Sequence, residues 1–343
     1  MARDVITEMA RKLCQTHPDA PAQTLARRLV KECGNAITIN QARMRIARQF
    51  GVHGTHHRKK LKPVAPRAKR VAGVDYTLPK SMATTWTPHV MNVLGTVGII
   101  SDVHVPYHSE IAVAAAVGFL KQQNLAGLLL NGDIADFYAI SRYMKDPKQR
   151  DFKGELEAVR DFVGYLRQEF PKIPIVYKTG NHEDRWKHWL WQHAAEISDD
   201  RRMSLSSWLE LDKHDVTLVD DQRPVMLGKL PVLHGHELPK GMAAPVNVAR
   251  GAFLRTLSTV LVGHSHRTSN HAESDMWHHE TACWSTGCLC DLRPEFSVIN
   301  RWNHGFAMAT IHKGGTFDVQ NYRVDRKSTR LNSSHQIISY AVF

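Results

Sequence analysis

Between residues 93 and 325, apolar runs of strand length alternate with longer stretches of helical periodicity. "GTVGIIS" (95–101) carries no charge, as expected of a strand covered on both faces. "IAVAAAVGFLKQQ" (111–123) reads as a helix and "LAGLLLNGD" (125–133) as a second strand. In "ELEAVRDFVGYLRQEF" (155–170), Leu156, Val159, Val163, Leu166 and Phe170 fall on one helical face. "KIPIVYKTG" (172–180) gives a third strand, followed by "KLPVLHG", "LSTVLVGHSH", "FAMATIHKGG" and "TFDVQNYRV". Strands alternating with helices and finishing in β-rich sequence predict an α/β core.

The first 50 residues have a different rhythm. "VITEMARKLCQ" and "PAQTLARRLVKEC" predict two helices, the second with Pro21 near its start and Gly34 just past its end. "QARMRIARQFG" predicts a third, capped by Asn40, with Ala42, Ile46, Ala47 and Phe50 at helical spacing. Three short helices with a break before the third resemble a helix-turn-helix, which would turn Arg43, Arg45 and Arg48 outward toward nucleic acid. A plain helical bundle accounts for the same pattern.

Residues 51–92 open with "GVHGTHHRKKLKPVAPRAKRVAG", which has no apolar period and predicts a flexible basic linker. Arg58, Lys59 and Lys60 are its candidate contacts to DNA or RNA. Charge supports the division. Residues 1–80 hold 17 Lys and Arg against 5 Asp and Glu, while the rest balances at 28 against 28, so the whole net charge of +12 lies in the N-terminal quarter. The last stretch, "RKSTRLNSSHQIISYAVF" (326–343), resembles translated adapter sequence and is set aside as non-native. No apolar run reaches membrane-spanning length and the start lacks a secretion signal, which predicts a cytoplasmic protein without a membrane partner. Five cysteines, sparse except for "CWSTGCLC", argue against a disulfide framework; that cluster could be read as a metal site, but its spacing is not C-x-x-C and Cys283, Cys288 and Cys290 are read as buried thiols.

Chemistry gathers where the apolar runs end. The first gives Asp102 and His104, the second Asp133 and Asp136, the third Asn181 and His182, and later ones give His234 and His236, then His264 and His266. Residues two apart on an extended chain share a side, which fits Asp102 with His104 and His264 with His266 to one ion each. Imidazoles, carboxylates and an amide oxygen suit manganese first, with iron, zinc or nickel as alternatives. So many donors exceed one ion; two divalent metal ions sharing a carboxylate accommodate them and would acidify a common water.

The ordered set Asp102-x-His104, Gly132-Asp133-x-x-Asp136, Gly180-Asn181-His182-Glu183, His234-Gly235 and Gly263-His264-x-His266 resembles the signature series of calcineurin-like metallophosphoesterases. The resemblance implies a four-layer α/β/β/α sandwich over residues 93–325, preceded by the small all-α module of residues 1–50. It implies that Asp102, His104 and His266 hold one ion, that Asn181, His234 and His264 hold the other, and that Asp133 bridges. His182 would be the catalytic acid or transition-state stabiliser, with Asp136 orienting His104 or a neighbouring ligand. His236 is an alternative to His234, which the motif position favours. Phe137 departs from the family, which often has Arg, Asn or His there; Arg142 and Arg185 are candidate replacements. The expected substrate is a phosphoester, with nucleic acid favoured by the basic N-terminus, and the domain order resembles proteins encoded by phages and prophages. Alternatives are a phosphatase of small molecules or phosphoproteins, and a DNA-binding regulator with an inactive core.

Overall fold

The computed structural model describes residues 3–18, 20–50, 78–144, 146, 148, 150–239, 246–324, 331–332 and 338–340. The basic stretch with Arg58, Lys59 and Lys60, and most of 326–343, lie outside the described residues. The chain divides into two compact units, Met1–Ala83 and Thr84–Phe343. Among the described residues, no helix is long and apolar enough to cross a membrane.

In the first unit, α1 (Arg3–Thr16), α2 (Ala22–Glu32) and α3 (Ile39–Phe50) close on one core. Ile6, Ala10 and Leu13 meet Leu25, Ala26 and Leu29 of α2 and Ala42 and Ile46 of α3. Gly34, just beyond α2, takes the left-handed φ of 61° that favours glycine at a helix end. Asn40 is not the cap of α3, because the helix already includes it. Thr38 caps instead: its hydroxyl accepts the Gln41 amide at 3.3 Å while the Gln41 side chain accepts the Thr38 amide at 3.1 Å. Ala47 is exposed rather than buried, being rotated by about 100° from the buried Ile46. Arg43 and Arg48 are exposed, and the half-buried Arg45 donates to the Gln41 carbonyl at 3.4 Å.

The second unit contains two sheets. Its strands begin with β1 (His89–Val90), β2 (Gly95–Ile100), β3 (Leu125–Asn131), β4 (Ile175–Lys178), β5 (Val216–Val219), β6 (Val225–Leu227) and β7 (Leu230–Leu233). They continue with β8 (Val260–Val262), β9 (Ser269–Ser274), β10 (Glu280–Ser285), β11 (Gly305–Ile311), β12 (Phe317–Val324), β13 (Leu331–Asn332) and β14 (Ile338–Tyr340). One sheet has the order β13-β12-β11-β2-β3-β4-β5, with β14 also on β12; the other has the order β1-β6-β7-β8-β10-β9. Strands β2 to β5 are mutually parallel, as are β7, β8 and β10.

Alternation along the strands builds the layers. Ile99, Leu129 and Val176 point to a core shared with Val232, Leu261 and Trp284 of the other sheet. Their neighbours Ile100, Leu128, Leu130, Ile175 and Tyr177 point the opposite way, onto α4 (Glu110–Lys121) and α5 (Phe152–Glu169). Val260 and Val262 pack on Ala249 and Ala252 of α7 (Val248–Thr256), behind the second sheet. The result is an α/β/β/α sandwich whose parallel strands are apolar on both faces. Truncating a residue of the middle layer, such as Leu129→Ala, should cost about 2–5 kcal/mol.

Register places the site. Ile100 lies level with Leu130, Leu130 with Tyr177, and Leu233 with Val262, so the residues just beyond these strands emerge side by side. A Trp-rich helix, α6 (Asp184–His193), follows the turn after β4 and packs Trp186 and Leu190 into the core.

Candidate metal centre

Strands β2, β3 and β8 end in turns that bring polar side chains inward. Asp102, His104, Asp133, His264 and His266 all have φ between 52° and 66°, a region that residues other than glycine rarely occupy. This corrects the simple alternation argument: Asp102-x-His104 and His264-x-His266 lie past the extended strands, and left-handed turns set their directions. His264 joins Asp133 and His234, while His266 joins His104, so the two do not serve one position. Close backbone approach is part of the same design. A Cβ on Gly132 would strike the His234 ring, and one on Gly180 would strike Asp133, so neither turn admits a side chain.

The donors converge on the Asp133 carboxylate. Its Oδ2 lies 3.1 Å from His234 Nε2 and 3.9 Å from both His104 Nε2 and His182 Nε2. Its Oδ1 accepts the His182 amide at 2.9 Å. On one side, His104 Nε2 is 3.2 Å from His266 Nε2, which is 3.1 Å from Asp102 Oδ1. Oδ2 of Asp102 is already engaged by the Ser101 hydroxyl at 2.5 Å and the His264 amide at 2.9 Å.

The outer atoms of the rings set which nitrogens face inward. Nδ1 of His104 is 2.9 Å from Asp136 Oδ2, and Nδ1 of His234 is 2.8 Å from the Asn131 carbonyl. Donation there would leave the lone pair of each neutral ring on Nε2, the arrangement metal-binding histidines require. Asn181 Oδ1 is buried without a hydrogen-bond partner, and Asp102 Oδ1 and His234 Nε2 are buried against only His266 Nε2 and Asp133 Oδ2 of the same cluster, each at 3.1 Å. A buried polar atom left unpaired is costly, and the chemistry of the three, carboxylate, amide oxygen and imidazole, fits a borderline divalent cation on either side of Asp133.

Charge in the cluster is strongly perturbed. Burial alone would raise the Asp102 carboxyl, but His266 and His234 outweigh it and bring it down to about 2. Asp133 is lowered well below its usual range by His234 and His182 in spite of its burial. His234 moves the other way: burial opposes its charge, yet Asp133 and Asp102 raise it to about 10. His264 is lowered to about 4 by burial and by the neighbouring His234.

Glu183 anchors the floor. Its carboxylate accepts the amides of Asp133 at 2.9 Å, Ile134 at 2.8 Å, Ala135 at 3.0 Å and Gly180 at 2.7 Å, and the Tyr177 hydroxyl at 2.7 Å. The loops after β3 and β4 are thereby tied together. A buried ion pair, Lys178 with Glu237 at 2.6 Å, ties the next strand end in the same way, since Glu237 also accepts the amides of His234 and Gly235.

The remaining candidates separate. His236 turns away from Asp133 toward Asp184, 3.3 Å from its Nε2. Phe137 is fully buried and packs in the core, so it presents nothing to the centre. Arg185 donates to the Asp136 carbonyl at 2.9 Å and to His182 Nε2 at 3.0 Å, whereas Arg142 is spent on Tyr143, 3.3 Å from its hydroxyl. Asp136 itself reaches both rings, with Oδ2 also 3.4 Å from His182 Nδ1. Cys290 is the residue the sequence pattern does not reveal as part of the site: its sulfur lies 3.8 Å from His266 Nδ1, and with His104 and His266 it forms a third donor group. The trace in the sequence is the clustering of three cysteines in and just after β10.

No family model matches the chain. It is 24% identical over 225 residues to the Gene 54 protein of Mycobacterium phage L5, covering 62% of this chain and 88% of that protein. Among solved structures, wild-type Vps29 complexed with zinc from Entamoeba histolytica aligns with 69% of this chain and 97% of its own, at 11% identity and a TM-score of 0.35. Vacuolar Protein Sorting 29 from Cryptosporidium parvum aligns with 70% and 96%, at 13% identity and a TM-score of 0.38.

Proposed function

We propose that this chain is a dinuclear metal-dependent phosphoesterase acting on nucleic acid. One observation carries the reading: Asp102 Oδ1, Asn181 Oδ1 and His234 Nε2 are buried together at the strand ends that gather around the Asp133 carboxylate, facing only one another's cluster or, for Asn181, no hydrogen-bond partner. Asp102, His104 and His266 would hold one ion, Asn181, His234 and His264 the other, with Asp133 between them. When bound, two divalent cations supply an acidified water and positive charge for the phosphoryl oxygens. Manganese is the first ion to test, with iron, zinc and nickel after it.

The chain's own groups do the rest. Asp136 and Asn131 fix the His104 and His234 tautomers, so that Nε2 faces inward in each. Glu183 holds the Asp133 turn against the Asn181 turn. His182 hangs beside Asp133 with Nδ1 2.8 Å from the Asp136 carbonyl, which leaves Nε2, now accepting from Arg185, as the atom that would pass a proton to a leaving oxygen once Arg185 turns from it. Arg185, on that same nitrogen, is placed to meet a phosphate oxygen.

The substrate class rests on the N-terminal unit. All of the chain's excess positive charge lies in residues 1–80, and Arg43 and Arg48 stand exposed on α3. Such a charged surface attracts phosphate backbone in a salt-dependent way.

Manganese-loaded protein should hydrolyse a bis-aryl phosphate, lose the activity on chelation, and slow sharply as His182→Ala. Absence of turnover on mono- and bis-aryl phosphates with all four metals would overturn the catalytic reading. DNA affinity should fall steeply with salt and vanish on removing residues 1–80; affinity that survives the deletion would remove the nucleic-acid role of that unit.

A further inference from the structure

The stretch between β10 and β11 contains a loop, residues 291–303, that the chemistry above leaves unused. It is rigidly made. Asn300 donates from Nδ2 to the Leu292 carbonyl at 2.7 Å and the Ser297 carbonyl at 2.6 Å, and its Oδ1 accepts the Trp302 amide at 2.8 Å. The loop's end is pinned to the metal centre, since the Asn303 amide donates to the His266 carbonyl at 2.9 Å. A loop held this firmly would be expected to bury its apolar side chains. Instead Phe296 is 75% exposed, and Val298 and Ile299 also face solvent.

The aromatic residues lead from this surface to the centre. The Trp302 ring packs against the His266 ring with centroids 4.1 Å apart, and Phe296 stands 6.2 Å from Trp302. Arg293 and Arg301 are exposed on the same loop. Aromatic faces interleaved with cations, beside a place for phosphate, are what a nucleotide needs: the base stacks, the arginines meet adjoining phosphates, and the ester sits at the ions. An aliphatic partner would use the apolar area but neither the arginines nor the phosphate position.

We propose that loop 291–303 is a nucleobase platform, with the exposed Phe296 ring stacking the base of a nucleotide whose phosphate lies at the metal centre and Trp302, edge-to-face against it at 61°, holding that ring beside His266. The inference rests on the phosphoesterase reading for the phosphate and on the loop for the base. It names nucleobase-bearing phosphate esters as the substrate class.

The test is calorimetric titration of the manganese-loaded full chain with AMP, ribose 5-phosphate, adenosine and inorganic phosphate. AMP should bind about 5- to 150-fold more tightly than ribose 5-phosphate, the range expected of one stacked base. Phe296→Ala should shrink that ratio while leaving ribose 5-phosphate binding as it was; because Phe296 lies away from the ligands, it is the cleaner variant than Trp302→Ala. Equal binding of AMP and ribose 5-phosphate, or a ratio untouched in both variants, would overturn the platform. Inorganic phosphate reports on the centre separately. If it fails to bind, the phosphoesterase reading fails, and the platform is then decided by adenosine, whose binding Phe296→Ala must weaken for the platform to stand.

Discussion

Arg185 donates from Nη2 to Nε2 of His182 at 3.0 Å. A guanidinium has no acceptor to offer, so that nitrogen must be bare, and with Nδ1 donating to the Asp136 carbonyl the ring is neutral in this pose. Burial also favours the neutral ring, but Asp133 and Asp136 outweigh it and raise the His182 pKa, while the Arg185 charge pulls it down. Arg185 therefore opposes the proton that a general acid must carry. In Arg185→Ala the His182 pKa should rise further, moving the alkaline limb of the pH–rate profile to higher pH. An unmoved limb would show that Arg185 has no hold on His182.

Glu183 accepts from five donors at once, a hydroxyl and four backbone amides, and the amides, which bond both of its oxygens, cannot accept in return. Replacing it by Gln sets an NH2 against N–H groups. Bonds to a charged acceptor contribute about 1.5–3 kcal/mol each, and they do not add. Glu183→Gln should lose at least about 3 kcal/mol in urea unfolding, with weakened metal binding because the Asp133 turn is released. A loss below about 1 kcal/mol would mean that the turns hold without it.

Before metal enters, the cluster balances itself with protons. His234 is raised from 6.5 to about 10, so its contribution is full below 6.5 and disappears as pH rises through 10. Asp102 is lowered from 3.8 to about 2, so its contribution is full above 3.8 and is lost as pH falls through 2. Both are therefore complete between about 4 and 6.5. The thermal midpoint of the metal-free protein should decline from neutral pH toward 10, and His234→Gln should flatten that decline. A cation must also displace the His234 proton. Calorimetry in buffers of different ionisation enthalpy should find about one more proton released at pH 7.5 by wild type than by His234→Gln; equal release would refute the assignment.

Much of this centre is legible in the sequence because a buried parallel strand is a plain apolar run, and a run that stops at Asp133 or His264 marks where chemistry can emerge. The buried stripe Leu156, Val159, Val163 and Leu166 is equally direct, since one helical period fixes all four, and Phe170 follows buried just past the end of α5. Other features depend on partners far along the chain. Nothing local to Asp102-x-His104 shows that both residues adopt left-handed φ, which requires the neighbouring turns at Gly132 and Gly263. Short strands such as β1 and β6 pair across more than 130 residues, and their two or three positions carry no period of their own. The cap of α3 is a different case: Thr38-Ile-Asn-Gln41 is a reciprocal capping pattern visible in the sequence, and it outranks the single residue Asn40.

Cys290 shows how a ligand's far side is hidden from the sequence. His104 rests on a carboxylate and His234 on a carbonyl, but the group facing Nδ1 of His266 is a sulfur, 3.8 Å away. A hydrogen bond with Cys288 and burial hold the Cys290 thiol well above its usual pKa, so it stays protonated and acts as a weak acceptor. Partners of ligating histidines typically govern 10- to 100-fold in metal affinity. Cys290→Ala should therefore weaken the proposed site of Asp102, His104 and His266 by about 10-fold or more, and Cys290→Ser, which restores a polar acceptor, should recover part of the loss. The site of Asn181, His234 and His264 provides the internal control, since it contains no contact to Cys290. Cobalt titration of both variants reads the two sites together, and a loss shared equally between them would mark Cys290 as packing alone.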